Sequence, residues 1–108
     1  MAVVHLNGEN ITDWPSFHSA CKTAFGFPDF YGDNMDAWVD CMSYLRDEDG
    51  MTKFRLQPAE KLQIIVDHAD ILQKKAPDIL EDVAFCIEAI NERYADYGEN
   101  PALGLKLR

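Results

Sequence analysis

The amino-acid sequence predicts an α/β fold, a three-stranded parallel sheet packed by helices in a two-layer or three-layer arrangement. Short apolar, strand-prone runs occur near the start of the chain, at Leu62-Gln63-Ile64-Ile65-Val66 and near the end. Segments with helical periodicity lie between them. Strands separated by helices favour parallel pairing through right-handed crossovers. The 108 residues, 47% of them hydrophobic, suffice for one hydrophobic core, so a single domain over 1–108 is expected.

Taken in order, Val3 to Leu6 is a short β-prone run closed by the turn signal Asn7-Gly8. Thr12-Asp13-Trp14-Pro15 combines a capping side chain with proline in the first turn, which predicts a helix start. That helix carries Trp14, Phe17, Cys21 and Phe25 toward the core and stops at Gly26. Phe27 to Gly32 is a loop with three aromatics, which expose apolar area unless they pack or bind something. Asp33 or Asn34 can cap a second helix running to about Leu45.

A polar connection, Arg46 to Gly50, leads into a stretch from Met51 to Lys61 that contains Pro58 and has no clear pattern. The Ile64-Ile65-Val66 run suits a fully buried strand. A short helix is expected over Ala69 to Lys75. Pro77 then opens a long helix with a 3.6-residue rhythm through Ile79, Leu80, Val83, Ile87, Ile90 and Tyr94. Gly98 to Pro101 breaks it, and Leu103, Leu105 and Leu107 alternate as a last strand.

Charge narrows the function. Nineteen acidic residues against ten basic ones give a formal net charge of −9. Such a surface repels nucleic acid and anionic membranes and attracts basic partners. No apolar run approaches the roughly 20 residues of a membrane helix. The N-terminus shows no secretory pattern, so the cytoplasm is the expected compartment. Cys21, Cys41 and Cys86 form no close pair, consistent with buried, reduced thiols.

The second helix carries the most distinctive pattern. At about 100° per residue, Met35, Trp38, Cys41, Met42 and Leu45 share one arc. Asp36, Asp40 and Ser43 fall opposite, within roughly 60° of one another. Asp36 also suits a helix N-terminus, where negative charge is stabilising. Asp40 lies beyond that benefit, and the i, i+4 pair of like charges destabilises an isolated helix by a few tenths of a kcal/mol. On the long helix, Glu81, Glu88 and Glu92 face outward with Phe85 among them. That phenylalanine suits either an interface anchor or packing against a neighbouring element, packing being the commoner role.

The segment from Phe27 to Cys41 resembles the binding segment of the barstar family. It reads as an aromatic, then Tyr31-Gly32-Asp33-Asn34, an apolar residue, Asp36-Ala37, two residues, and Asp40-Cys41. Weaker similarity extends through the Phe17-His18 helix, the Ile64-Ile65-Val66 strand, the long helix and the last strand. The connection at about 46–61 is longer than in the family. The resemblance implies a three-stranded parallel sheet with helices, and an inhibitor whose carboxylates occupy the places of RNA phosphates in a ribonuclease groove.

Carried over, the resemblance makes Asp40 the central phosphate mimic, with Asp36 beside it. Phe30 takes the place of a binding-loop tyrosine and Ser43 that of a hydrogen-bonding threonine. Val39 stands where the family has a tryptophan, and Tyr31, Asp33 and Asn34 complete the partner-binding set. The family's acid on the long helix aligns near Ala89, leaving Glu88 as the nearest carboxylate. Carboxylates on a rigid helix can engage the cations that an RNA-cleaving enzyme aims at phosphate, and arginine is the best such partner.

The expectation is therefore an intracellular immunity or antitoxin-type inhibitor of a basic ribonuclease or ribonuclease toxin domain, monomeric when free. The alternative is a regulatory or adaptor module of the same family that binds a basic protein other than a ribonuclease. Catalysis is not expected. His5, His18 and His68 lie on separate elements, with packing or capping expected of His18, and no Ser-His-Asp order, phosphate loop or zinc spacing occurs. Asp36 and Asp40 alone make a weak metal site, so no metal or cofactor is expected.

Overall fold

In the computed structural model, which describes residues 2–108, the sheet has the order β1-β2-β3. Its strands are β1 (Ala2–Asn7), β2 (Leu62–Asp67) and β3 (Leu103–Leu107). Both pairings are parallel, with Val4 opposite Ile64 and Ile64 opposite Leu105. The helices are α1 (Trp14–Phe25), α2 (Met35–Met42), α3 (Ala69–Lys75) and α4 (Pro77–Asp96), after a single 3-10 turn at Gly8–Asn10. No helix among the described residues is long and apolar enough to cross a membrane.

Local chemistry sets the element ends. Asp13 and Ser16 form a reciprocal capping box at the start of α1, with proline in the first turn. Gly26 adopts φ 70°, ψ 42°, and the amides of Gly26 and Phe27 both donate to the Lys22 carbonyl at 3.1 Å. This left-handed stop is the reason for glycine there. Trp14, expected in the core, is only half-buried. It lies on the first turn and stacks over His18 at 5.8 Å and 25°.

Two expectations change. The β2 run, expected to be covered on both faces, buries Leu62, Ile64 and Val66 but leaves Gln63, Ile65 and Asp67 partly exposed. A sheet ordered β1-β2-β3 explains this, because two crossovers of one hand put the connecting helices on a single face. The two-layer form of the prediction is therefore the one adopted. The second change concerns α2, which ends at Met42 rather than near Leu45. The Tyr94 hydroxyl on α4 donates to the Met42 carbonyl at 3.1 Å and accepts from the Leu45 amide at 3.0 Å. It thereby takes up two groups that a continuing helix would have used internally.

The core between helices and sheet joins Phe17, Cys21 and Phe25 of α1, Trp38, Cys41 and Met42 of α2, and the apolar stripe of α4. Asn91 fastens α4 to β3: its carboxamide oxygen accepts from the Ala102 and Leu103 amides, and its nitrogen donates to the Leu103 carbonyl, all at 3.0 Å. The 46–61 connection is tied down at both sides. Lys53 N–H donates to the Phe25 carbonyl and Leu56 N–H to the Leu45 carbonyl, each at 2.8 Å, and Leu56 is buried.

Candidate functional site: the outer face of α2 and its seam with α4

The approach to α2 is held rigidly from below. Tyr31 is buried, its ring packs on Phe27 at 4.6 Å, and its hydroxyl lies 2.7 Å from His18 Nδ1. Burial pushes the Tyr31 phenol up and the His18 imidazole down, the latter opposed in part by the Asp33 carboxylate. His18 is thus a packed core residue. Next to Tyr31 in sequence, Phe30 is 78% exposed. Asp33 follows at φ 51°, a left-handed conformation that aspartate tolerates better than most residues, and Asn34 then caps α2. The Asn34 side chain accepts from the Ala37 amide at 2.8 Å and donates to the Gly32 carbonyl at 3.1 Å. Of the two candidate caps, Asn34 is the one used.

The division of α2 into two faces follows the helix arithmetic. Trp38, Cys41 and Met42 are buried, while Asp36 and Asp40 are exposed and Val39 is half-buried between the faces. Burial raises the Cys21 thiol to about 12, with the Trp38 indole partly offsetting it. Ser43 caps the C-terminal end, donating from Oγ to the Val39 carbonyl at 2.6 Å.

Among the described residues Asp40 has one cationic neighbour. Arg93 of α4 places Nη1 3.9 Å from its carboxylate and donates to Ser43 Oγ at 3.3 Å. Toward the other end of α2, the thiol of half-buried Cys86 on α4 is raised by burial first and then by the carboxylates of Asp82 and Asp36. Asp82, Cys86 and Arg93 therefore line the side of α4 that meets α2.

The structure brings Asp36, Asp40, Val39 and Ser43 onto one helix, with Phe30 exposed on the loop before it. Tyr31 and Asn34 serve as internal support: the tyrosine is buried beneath the loop and the asparagine side chain is used by the cap. Glu88 stands apart from this seam. It is exposed, but two helical positions from Cys86 turn it about 200° away. Asp82 and Arg93 are the seam residues that sequence reasoning missed. Their 3.6-residue spacing was visible, but the side of α4 facing α2 was not. Phe85 does not find the packing expected of it and is 71% exposed.

Among the described residues no group of three His, Cys, Asp or Glu side chains is arranged to hold a metal ion. A hollow of about 500 Å³ opens beyond the end of α2, where Arg46, Arg93 and Tyr94 meet Tyr44 and Tyr97. The outer face of α2 is thus an exposed acidic ridge, with Asp36 and Asp40 on it, Arg93 at its edge and a packed loop behind it.

The sequence matches one family model, described as Barstar (barnase inhibitor), over residues 1–106. The chain belongs to the barstar family. The matched span takes in every helix and strand, and the family agrees with the parallel three-stranded sheet packed by helices. A search of curated proteins finds no match. Barstar-family proteins are inhibitors rather than enzymes, and that is the class to which the family assignment points.

Proposed function

We propose that this chain is an intracellular inhibitor of immunity or antitoxin type that occludes the active site of a basic ribonuclease with the outer face of α2. One observation carries the reading: Asp36 and Asp40 stand exposed on a helix whose opposite face, Trp38, Cys41 and Met42, is locked in the core. Carboxylates held this way offer acceptors to cations that would otherwise bind RNA phosphates, at little further cost in side-chain ordering. Asp40 is the central acceptor, Asp36 extends the ridge, and Phe30, Val39 and Ser43 border it. Asp33 adds charge at the helix start, and Glu88 contributes only to the long-range field. The protein works as a single domain and a monomer, in the cytoplasm.

The test is RNA cleavage by barnase, and by any toxin encoded beside the gene, with and without a small excess of the protein. Stoichiometric inhibition that disappears in Asp40→Ala supports both the function and the site. Failure to inhibit either nuclease removes the ribonuclease and leaves a family module that binds some other basic protein. Valine in place of the family's tryptophan, at position 39 in the middle of the helix, favours that second reading.

A further inference from the structure

Helices α2 and α4 together carry eight carboxylates and a single cation, Arg93. That cation is not remote from the acidic ridge. It lies 3.9 Å from Asp40 and also reaches Ser43 Oγ at 3.3 Å, so it stands against the carboxylate with the strongest claim to a partner. Both side chains of the pair are more than half exposed, at 55% for Arg93 and 64% for Asp40. A pair so placed contributes little to folding. Its consequence falls instead on whatever docks over it.

On the reading of this face as the partner-binding surface, we propose that Arg93 is a specificity-determining residue that masks Asp40 from partners offering only cations. A partner guanidinium or ammonium that reaches Asp40 comes within roughly 5–6 Å of the Arg93 guanidinium, where like charges at a surface cost about five- to tenfold in affinity. The fitting partner has a two-signed patch, with cations for Asp36 and Asp40 and beside them a carboxylate or other acceptor for the Arg93 donors. Such an acceptor turns the repulsion into a charge-assisted hydrogen bond. A penalty for wrong partners combined with a gain for the right one is how interfaces of this kind discriminate. The hollow next to Arg93 leaves room for the acceptor to approach, and because Asp47, Asp96 and Glu99 line it together with Arg46, a neutral acceptor such as a carbonyl or hydroxyl suits it better than a carboxylate.

Barnase serves as the probe, with binding and inhibition measured for the wild-type chain, Arg93→Ala, Arg93→Glu and Arg93→Lys, and each fold checked by circular dichroism. Expected is tighter binding by about five- to tenfold in Arg93→Ala, a larger gain of about thirtyfold or more in Arg93→Glu, and none in Arg93→Lys. In an Asp40→Asn background the gain from Arg93→Ala should fall by more than half, because no carboxylate remains to be unmasked. Wild-type binding with no gain in Arg93→Ala, or an equal gain with and without Asp40, overturns the assignment of Arg93 and leaves the inhibitor reading standing. Binding by none of the four proteins overturns both.

Discussion

Replacing Arg46 by methionine tests how the end of the acidic helix is held. Arg46 follows α2 closely, and its side chain is only 6% exposed. Nη1 donates to the Asn100 carbonyl at 2.7 Å, and Nη2 donates to the Glu60 carbonyl at 2.9 Å and the Pro101 carbonyl at 3.4 Å. The guanidinium also lies 5.2 Å from the Tyr94 ring centroid and 3.4 Å from Glu99. One group thus gathers the end of the 46–61 connection, the turn before β3 and α4. Hydrogen bonds from a charged donor contribute about 1.5–3 kcal/mol each. Counting the two short ones, and allowing for the buried Nε that finds no partner among the described residues, Arg46→Met should cost about 3 kcal/mol. Methionine keeps the apolar stem, so the loss reports mainly the guanidinium. Urea unfolding should show a lower midpoint with unchanged slope, and thermal melting a drop of about 12–24 °C for a domain of this size. Arg46→Lys, which can satisfy one arm of the fork, should recover about half. A loss below about 1 kcal/mol would mean that water replaces the guanidinium at those carbonyls, and the clamp would be refuted.

Three further outcomes are expected. Asp40→Ala should change unfolding stability by no more than about 0.5 kcal/mol, because a weak exposed pair with Arg93 is lost while repulsion from Asp36 is relieved. Its binding to barnase should nevertheless fall at least about thirtyfold, the scale of hot-spot loss that the barstar–barnase pair itself exemplifies. The buried His18 has a pKa below its ordinary value near 6.5, so the unfolded chain binds its proton more readily than the native one. Stability from this group is complete above about pH 6.5 and declines as pH falls toward the lower native value. The decline should shrink in a pH series of urea midpoints for His18→Gln, and an identical decline would assign the acid sensitivity elsewhere. Association with a basic partner should slow steeply between low and physiological salt, and a salt-independent rate would remove the acidic ridge from the interface.

Much of this protein was legible in order along the chain. Proline at position 15, glycine at 26 and proline at 77 mark helix ends through local backbone chemistry alone. The opposition of Trp38 and Cys41 to Asp36 and Asp40 follows from helix geometry, and the spacing from Tyr31 to Cys41 carried the family. Placement across the chain was not legible in this way. Arg46, in a stretch that reads as a polar connection, is one of the most buried charged residues, and its burial was not legible because its partners are backbone carbonyls that carry no side-chain signal.

The sequence by itself determined the order of the main helices and strands, several of their ends, and that one helix would be apolar on one side and acidic on the other. These depend on interactions within a few residues, where period, caps and backbone restrictions act directly. Tertiary structure alone decided that the sheet is covered on one face, that Tyr94 ends α2 at Met42, and that Arg93 meets Asp40 from another helix. Each joins groups far apart in the chain, and such contacts depend on which faces pack together rather than on the local run of residues.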